Sequence, residues 1–462
     1  MIKRRRSKKI GKQFNFLSSL LIGMIAAGLV PGLVSGQDSA VREFSLQSAQ
    51  DFAVTHSYDS KKSQLDIQTA QKQMKETLAI GLPQVESTIG YMNNLKLATI
   101  LIPNFFEGKF DEMIAVQFGT QHNTNVNFLV SQLLFNGSYF VGLQAAKIYK
   151  QLANQNHERT KLNVLETVTN TYYLILVSEE SERILSANLS NLEKILYEIN
   201  ELHKEGFVAE TDADLVQISV TKLKNTLQTI KRGKDVALKL LKFQMGLDLN
   251  EEILLTDKLN GILERIDMDT LHSTEFNLEN NIDYSLLKTQ EKLSEMDLKN
   301  EKMKYLPTVS AFYTFQLNAM RNSFNFFSSD EKWYQTQLMG VNVNIPIFKS
   351  GAQKTRVQKA AIAVEQARNA KQQVAEGLSL EAASARSDFE SAHENYTHTQ
   401  ANMKLSNKVY DVTLVKYREG VASSMDLTQA HNTFLFAQSD FIQAMSILLT
   451  AKNKLDRLNS NY

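Results

Sequence analysis

Two periodicities alternate along this chain, and their order predicts its elements. Apolar residues at Val309, Ala311, Tyr313, Phe315 and Leu317 give a strand with one greasy face, and Met339, Val341, Val343 and Ile345 give a second. The pair closes on Pro346-Ile347-Phe348-Lys349-Ser350-Gly351, and no proline follows before Tyr417-Arg418-Glu419-Gly420. The 69 positions between the two glycines (420 − 351) predict a helix of roughly 100 Å at ~1.5 Å per residue, several times the ordinary globular length. On the return helix, Leu427, Ala430, Phe434, Ala437, Phe441, Ala444, Leu448, Ala451 and Leu455 alternate in steps of three and four, a coiled-coil seam. The outgoing helix offers a matching seam from Ala360 to Tyr396. Its consecutive four-residue steps around Leu378 form a stutter that predicts straighter packing there.

The first half follows the same plan. Leu82-Pro83 opens a strand with Val85, Ile89 and Tyr91 on one face and Glu86, Thr88 and Gly90 on the other. Residues 93–111, with Pro103 and Gly108, read as a long connection to a second strand marked by Val126, Phe128 and Val130. Leu134-Phe135-Asn136-Gly137 closes the pair, a helix runs over 138–205 to Gly206, and a return helix covers 213–245. Pro83 and Gly206 are 123 residues apart (206 − 83), and Pro307 and Gly420 are 113 apart (420 − 307). The chain is thus a tandem duplication. A repeat over 37–245 and another over 281–462 flank an inter-repeat, equatorial segment, 246–280. Residues 45–80 and 281–305 are the helices that lead into the two strand pairs.

The fold class is therefore mainly α with a small β part. Each strand run has about ten residues, enough to cross a bilayer at a tilt. Four strands cannot close a membrane barrel, and an open edge is not tolerated in lipid. Closure requires several chains: two copies give eight strands and three give twelve. The alternative, a non-conducting periplasmic coiled-coil scaffold, explains the helices but leaves four amphipathic strands without a use.

Composition adds a compartment. Residues 1–36 read as a secretory signal, with Lys3, Arg4, Arg5, Arg6, Lys8, Lys9 and Lys12 before an apolar run and Val34-Ser35-Gly36 at the cleavage region. Removing those seven from 51 basic residues leaves 44 against 50 acidic ones, a mildly acidic chain unsuited to nucleic acid. With no cysteine, disulfides, thiol catalysis and a lipid-carrying N-terminal cysteine are excluded. The eight histidines lack metal-ligand spacing, and no phosphate loop or nucleophile motif occurs. The residues predict no enzyme and no cofactor.

Taken together, the chain resembles the TolC-like outer membrane efflux protein family. The features that carry the resemblance are Leu82-Pro83 and Leu306-Pro307, the closures at Leu134–Gly137 and Ile347–Gly351, and the helix tips at Gly206–Asp212 and Tyr417–Asp426. The resemblance implies a homotrimer with a 12-stranded barrel in the outer-membrane lipid and a long antiparallel α-helical barrel through the periplasm. Such a duct is passive, and a periplasmic adaptor and an inner-membrane pump of the RND or ABC type feed it, in efflux or type I secretion.

The expected entrance residues are Asp212, Tyr417, Asp426 and Gln429. Asp426 stands where the family has the first of two constriction aspartates, and Gln429 replaces the second. Tyr417 and Asp212 match one polar link between helix tips, and Ala422 occupies the place of an arginine in another. Gly206, Phe207, Val208, Gly420 and Val421 form the tip turns that the resemblance presents to the adaptor. An aspartate in a first helical turn also serves simply as a cap. Trp333, Tyr334, Tyr91, Tyr313 and Phe315 are candidates for interfacial girdles.

Overall fold

The structure, a computed structural model, describes residues 41–266 and 276–459. The expected signal segment and part of the inter-repeat segment lie outside the described residues. Residues 41–42 and 251–254 form a small unit of their own, in which Arg42 pairs with Glu251 at 2.9 Å. The remaining described residues belong to the larger unit.

A short strand, β1 (Arg42–Phe44), leads into α1 (Leu46–His56) and α2 (Tyr58–Ala79). A single helix was expected over 45–80, but Ser57 breaks it. The Ser57 backbone is extended (φ −58°, ψ 150°), its N–H still reaches the Ala53 carbonyl, and its hydroxyl accepts the Ser60 N–H. A serine that caps the next helix so well competes with continuing the last one.

Strand β2 (Gln84–Asn93) follows, then β3 (Ala98–Asn104), β4 (Lys109–Phe118) and β5 (His122–Phe135). The expected long connection over 93–111 holds β3 and the start of β4, which runs on to Phe118, and the two form a separate antiparallel hairpin. Helix α3 (Gly137–Lys204) runs 68 residues, and α4 (Glu210–Met245) returns. After β6 (Ile253–Leu255) and α5 (Leu259–Leu263) the plan repeats. Helix α6 (Ile282–Met303), β7 (Thr308–Arg321), β8 (Tyr334–Asn344), the 67-residue α7 (Ala352–Arg418) and α8 (Ser424–Asn459) complete the chain.

Strands β2, β5, β7 and β8 form one antiparallel sheet in that order, with both outer edges unpaired among the described residues. Its register sorts the side chains by polarity. Val85, Val130, Tyr313 and Met339 make one cross-strand row, and Ile89, Val126 and Leu317 lie on the same face. Thr88, Asn127, Gln316 and Thr336 make a row on the opposite face, beside Asn125 and Asn318. Among the described residues no segment covers the apolar face: Ile89 is 74% and Met339 85% exposed. Tyr91 packs edge-on against Phe324 and Phe326, and Trp333 joins Phe326, so aromatic residues gather at one end of the sheet.

The helices pair as their seams require. Helix α3 packs on α4 and α7 on α8, while α2 and α6 lie along α3 and α6 also along α7. On α8 the expected seam is buried at Leu427, Ala430, Phe434, Phe441, Ala444, Leu448 and Leu455. Helix α8 is long and apolar enough to cross a membrane, but Leu448 and Leu449 show that this apolarity is spent on helix packing. Tyr172, midway along α3, ties the inter-repeat segment down: its hydroxyl lies 3.0 Å from the Phe44 carbonyl and 3.1 Å from Asp257, which also accepts the Leu46 N–H.

Candidate functional site

Both long helices end in the same way. Gly206 (φ 79°) and Gly420 (φ 74°) take the left-handed conformation. The Gly206 N–H donates to the His203 carbonyl and Phe207 N–H to Leu202; Gly420 N–H donates to Tyr417 and Val421 N–H to Lys416. These are Schellman closures, which satisfy carbonyls that a helix end leaves free. The His203 Nδ1 donates to the Val208 carbonyl (3.0 Å) and pins the first turn. Phe207 and Val421, each directly after its glycine, are 77% and 76% exposed.

The return helices also start alike. Asp212 accepts the Ala209 N–H at 3.3 Å, and Asp426 accepts the Ser423 N–H at 2.9 Å and its hydroxyl at 2.7 Å. Both aspartates are thus N-terminal caps. The Ser423 hydroxyl and N–H hold the Asp426 carboxyl below the usual range. Asp426 and Gln429 are both exposed, one turn apart on α8.

Between the tips, the links differ from those expected. Tyr417 and Asp212 make no hydrogen bond. The Tyr417 hydroxyl is buried with no partner among the described residues, and burial, followed by the Asp212 and Glu198 charges, raises its pKa. Asp212 instead takes the hydroxyl of Ser424, across from the other repeat. Ala422 offers no side-chain link, but Arg418 donates to both oxygens of Glu198, joining α7 to α3 at 3.0–3.2 Å. Neither Ser424 nor this ion pair was foreseen. Both contacts join residues more than 200 positions apart, and no local pattern announces them.

Beneath the tips, one apolar cluster draws on all four helices, including Ile199 from α3, Val216 from α4, Tyr410 from α7 and Phe434 from α8. Tyr410 stacks on Phe434 (5.8 Å, 10°) and lies 5.2 Å from the ring of His431. Burial pushes the His431 pKa down to about 4. Among the described residues no group of His, Asp and Glu is arranged to hold a metal ion.

What this geometry permits is opening and closing of helix ends. Four helix ends meet through two polar links and one apolar cluster, with exposed carboxylate and amide groups nearby.

Comparison with known proteins agrees with this architecture. Residues 278–459 match the family model described as outer membrane efflux protein. The chain is similar to the outer membrane protein VceC of Vibrio cholerae at 13% identity, with a TM-score of 0.69 over 90% of this chain and 96% of that one. It is similar to the Campylobacter jejuni CmeC outer membrane channel at 17% identity and TM-score 0.71, covering 89% and 85% of the two chains. For the open state of the Neisseria gonorrhoeae MtrE outer membrane channel the values are 15%, 0.69, 89% and 88%. No curated protein matches the sequence.

Proposed function

We propose that this chain, whose residues 278–459 match the outer membrane efflux protein model, belongs to that family throughout and is a passive exit duct built from three copies. The sheet carries the proposal. Its apolar face is uncovered, its opposite face is lined by Asn, Gln and Thr, and both edges are open. A sheet of that kind is stable in lipid only when closed, with the apolar face outward and the polar face toward water. Three copies supply twelve strands. A periplasmic scaffold would have no reason to sort its strands this way.

In this reading the helices extend the conduit into the periplasm, and the tips form its entrance. An adaptor docks on the exposed Phe207 and Val421 with their flanking Gly206, Val208 and Gly420, and an inner-membrane RND or ABC pump supplies the energy. Threefold repetition makes a ring of Asp426 beside Gln429, which favours cations. The test is extraction from outer membranes followed by reconstitution in planar bilayers. A trimer in detergent with stepwise, cation-preferring conductance supports the duct. A water-soluble monomer without pore activity overturns it.

A further inference from the structure

The hairpin β3–β4 has no role in a duct wall, and its sequence is not that of a solvent loop. The register puts Ala98, Ile100, Ile102, Ile114, Val116 and Phe118 on one face. Leu101, Pro103, Met113 and Ala115 occupy the other, with Thr99 and Gln117 at its base. Both faces are open, with Leu101 64% and Phe118 53% exposed, and Phe106 at the tip is 83% exposed. An isolated two-stranded ribbon is marginal in water, and one that is apolar on both faces needs cover on both.

Three observations say what covers it. The hairpin rises from the end of the sheet remote from the helices: Asn94 N–H donates to the Gln121 carbonyl (2.7 Å) just past the last β2–β5 pair, Asn93 with His122. The ten residues of β2 and fourteen of β5 already suffice to cross a bilayer, so the hairpin stands beyond it. Its tip region, residues 105–112, has Glu107, Asp111 and Glu112 and a single lysine in its sequence, a net acidic composition unsuited to an anionic lipid surface. Finally, it continues directly from β2, the unpaired edge that a second copy must complete.

We infer that the β3–β4 hairpins of neighbouring copies pack face on unlike face around the threefold axis and form an apolar cap over the external mouth. Cyclic assembly requires two different complementary surfaces on each subunit, and the two faces of this hairpin are such a pair. The cap rests on the proposed trimeric duct and adds an outer constriction that exported solute must part.

The test uses the full-length chain in outer membranes, where the absence of cysteine makes introduced thiols unique. Ile100→Cys and Met113→Cys lie on opposite faces of one hairpin and cannot bridge within it. Under oxidation the double variant should run as a covalent trimer, and each single variant as a monomer on denaturing gels. Removing residues 95–120 and joining Asn94 to Gln121 through a two-residue turn should keep the trimer and raise single-channel conductance at least about twofold. Absence of the crosslink, or unchanged conductance in a trimeric deletion variant, overturns the cap alone. Quenching of a fluorophore at Phe106→Cys by brominated lipid would put the hairpin in the leaflet and also overturn it. If the unmodified chain forms no trimer, the duct reading falls as well.

Discussion

Ser424, the first residue of α8, gives its hydroxyl proton to Asp212 in the first turn of α4. The two aspartates that stand six residues beyond their glycines are therefore not equivalent. Each caps its own helix, but only Asp212 also holds the tip of the other repeat.

That asymmetry makes the first prediction. Asp426→Asn should lower cation preference in planar bilayers while leaving resting conductance near wild type. Asp212→Ala and Ser424→Ala should both raise resting conductance, and their double variant should do no more than the stronger single one, since one bond is lost in each case. Acid should weaken the Asp426 cap. The Asp426 carboxyl titrates below its ordinary range, so its stabilisation is present above that range and is lost as pH falls through the depressed value. Equal leak from Asp426→Asn and Asp212→Ala would refute the distinction.

The pair Arg418–Glu198 supports a second. Both side chains are about half exposed, so the pair alone is worth below about 1 kcal/mol. Its leverage is positional, because it joins the ends of the two longest helices. Glu198→Gln should increase leak a few-fold at low salt and progressively less at high salt, where screening already weakens the wild-type pair. A leak independent of ionic strength would exclude an electrostatic latch.

Much of the fold was legible because its signals are local. Pro83 and Pro307 mark where helices stop, Gly206 and Gly420 supply the left-handed closures, and the three-four seam of α8 predicts which positions are buried. The hairpin was not legible. With Pro103 and Gly108 the stretch reads as a long connection, and a ribbon apolar on both faces lacks the clean alternation that reveals a half-buried strand. Likewise Ser57 breaks a helix that the apolar pattern carries straight through. At the tips, Tyr417 and Asp212 are close in charge but unbonded, because the geometry gives Asp212 a nearer donor in Ser424.

The glycines give a third prediction with an internal control. Gly206 and Gly420 have positive φ but nothing within 4 Å of where a Cβ would stand. Alanine there should cost only the conformational penalty, about 1–2 kcal/mol each, read as faster proteolysis at the turn. Gly246 has φ 74°, and a Cβ there would meet the His56 carbonyl oxygen at 2.4 Å, where α4 ends against the break at Ser57. Gly246→Ala should destabilise the chain considerably more. Equal effects at Gly206 and Gly246 would show that contact with His56 is unimportant.

Tyr417→Phe is expected to be silent. The hydroxyl is buried without a partner among the described residues, so removing it relieves a desolvation cost, and thermal stability should be unchanged or slightly higher. A leakier channel from this variant would mean that the hydroxyl bonds to a neighbouring copy.

His431 should make the helix tips sensitive to acid, with a definite sign. The ring is buried in the apolar cluster against Tyr410, and its pKa falls from 6.5 to about 4. The unfolded tip therefore binds a proton at a higher pH than the folded one. Stability is full above pH 6.5, declines as pH falls toward 4, and declines no further from this group below that. Between pH 7.5 and 5 the loss should be about 2 kcal/mol. His431→Phe removes the titration while retaining a ring to stack beside Tyr410. Proteolysis at the Gly206 and Gly420 turns should accelerate on acidification in the wild type and much less in the variant. If both accelerate equally, the acid response arises elsewhere, and the Asp426 cap is the first place to look.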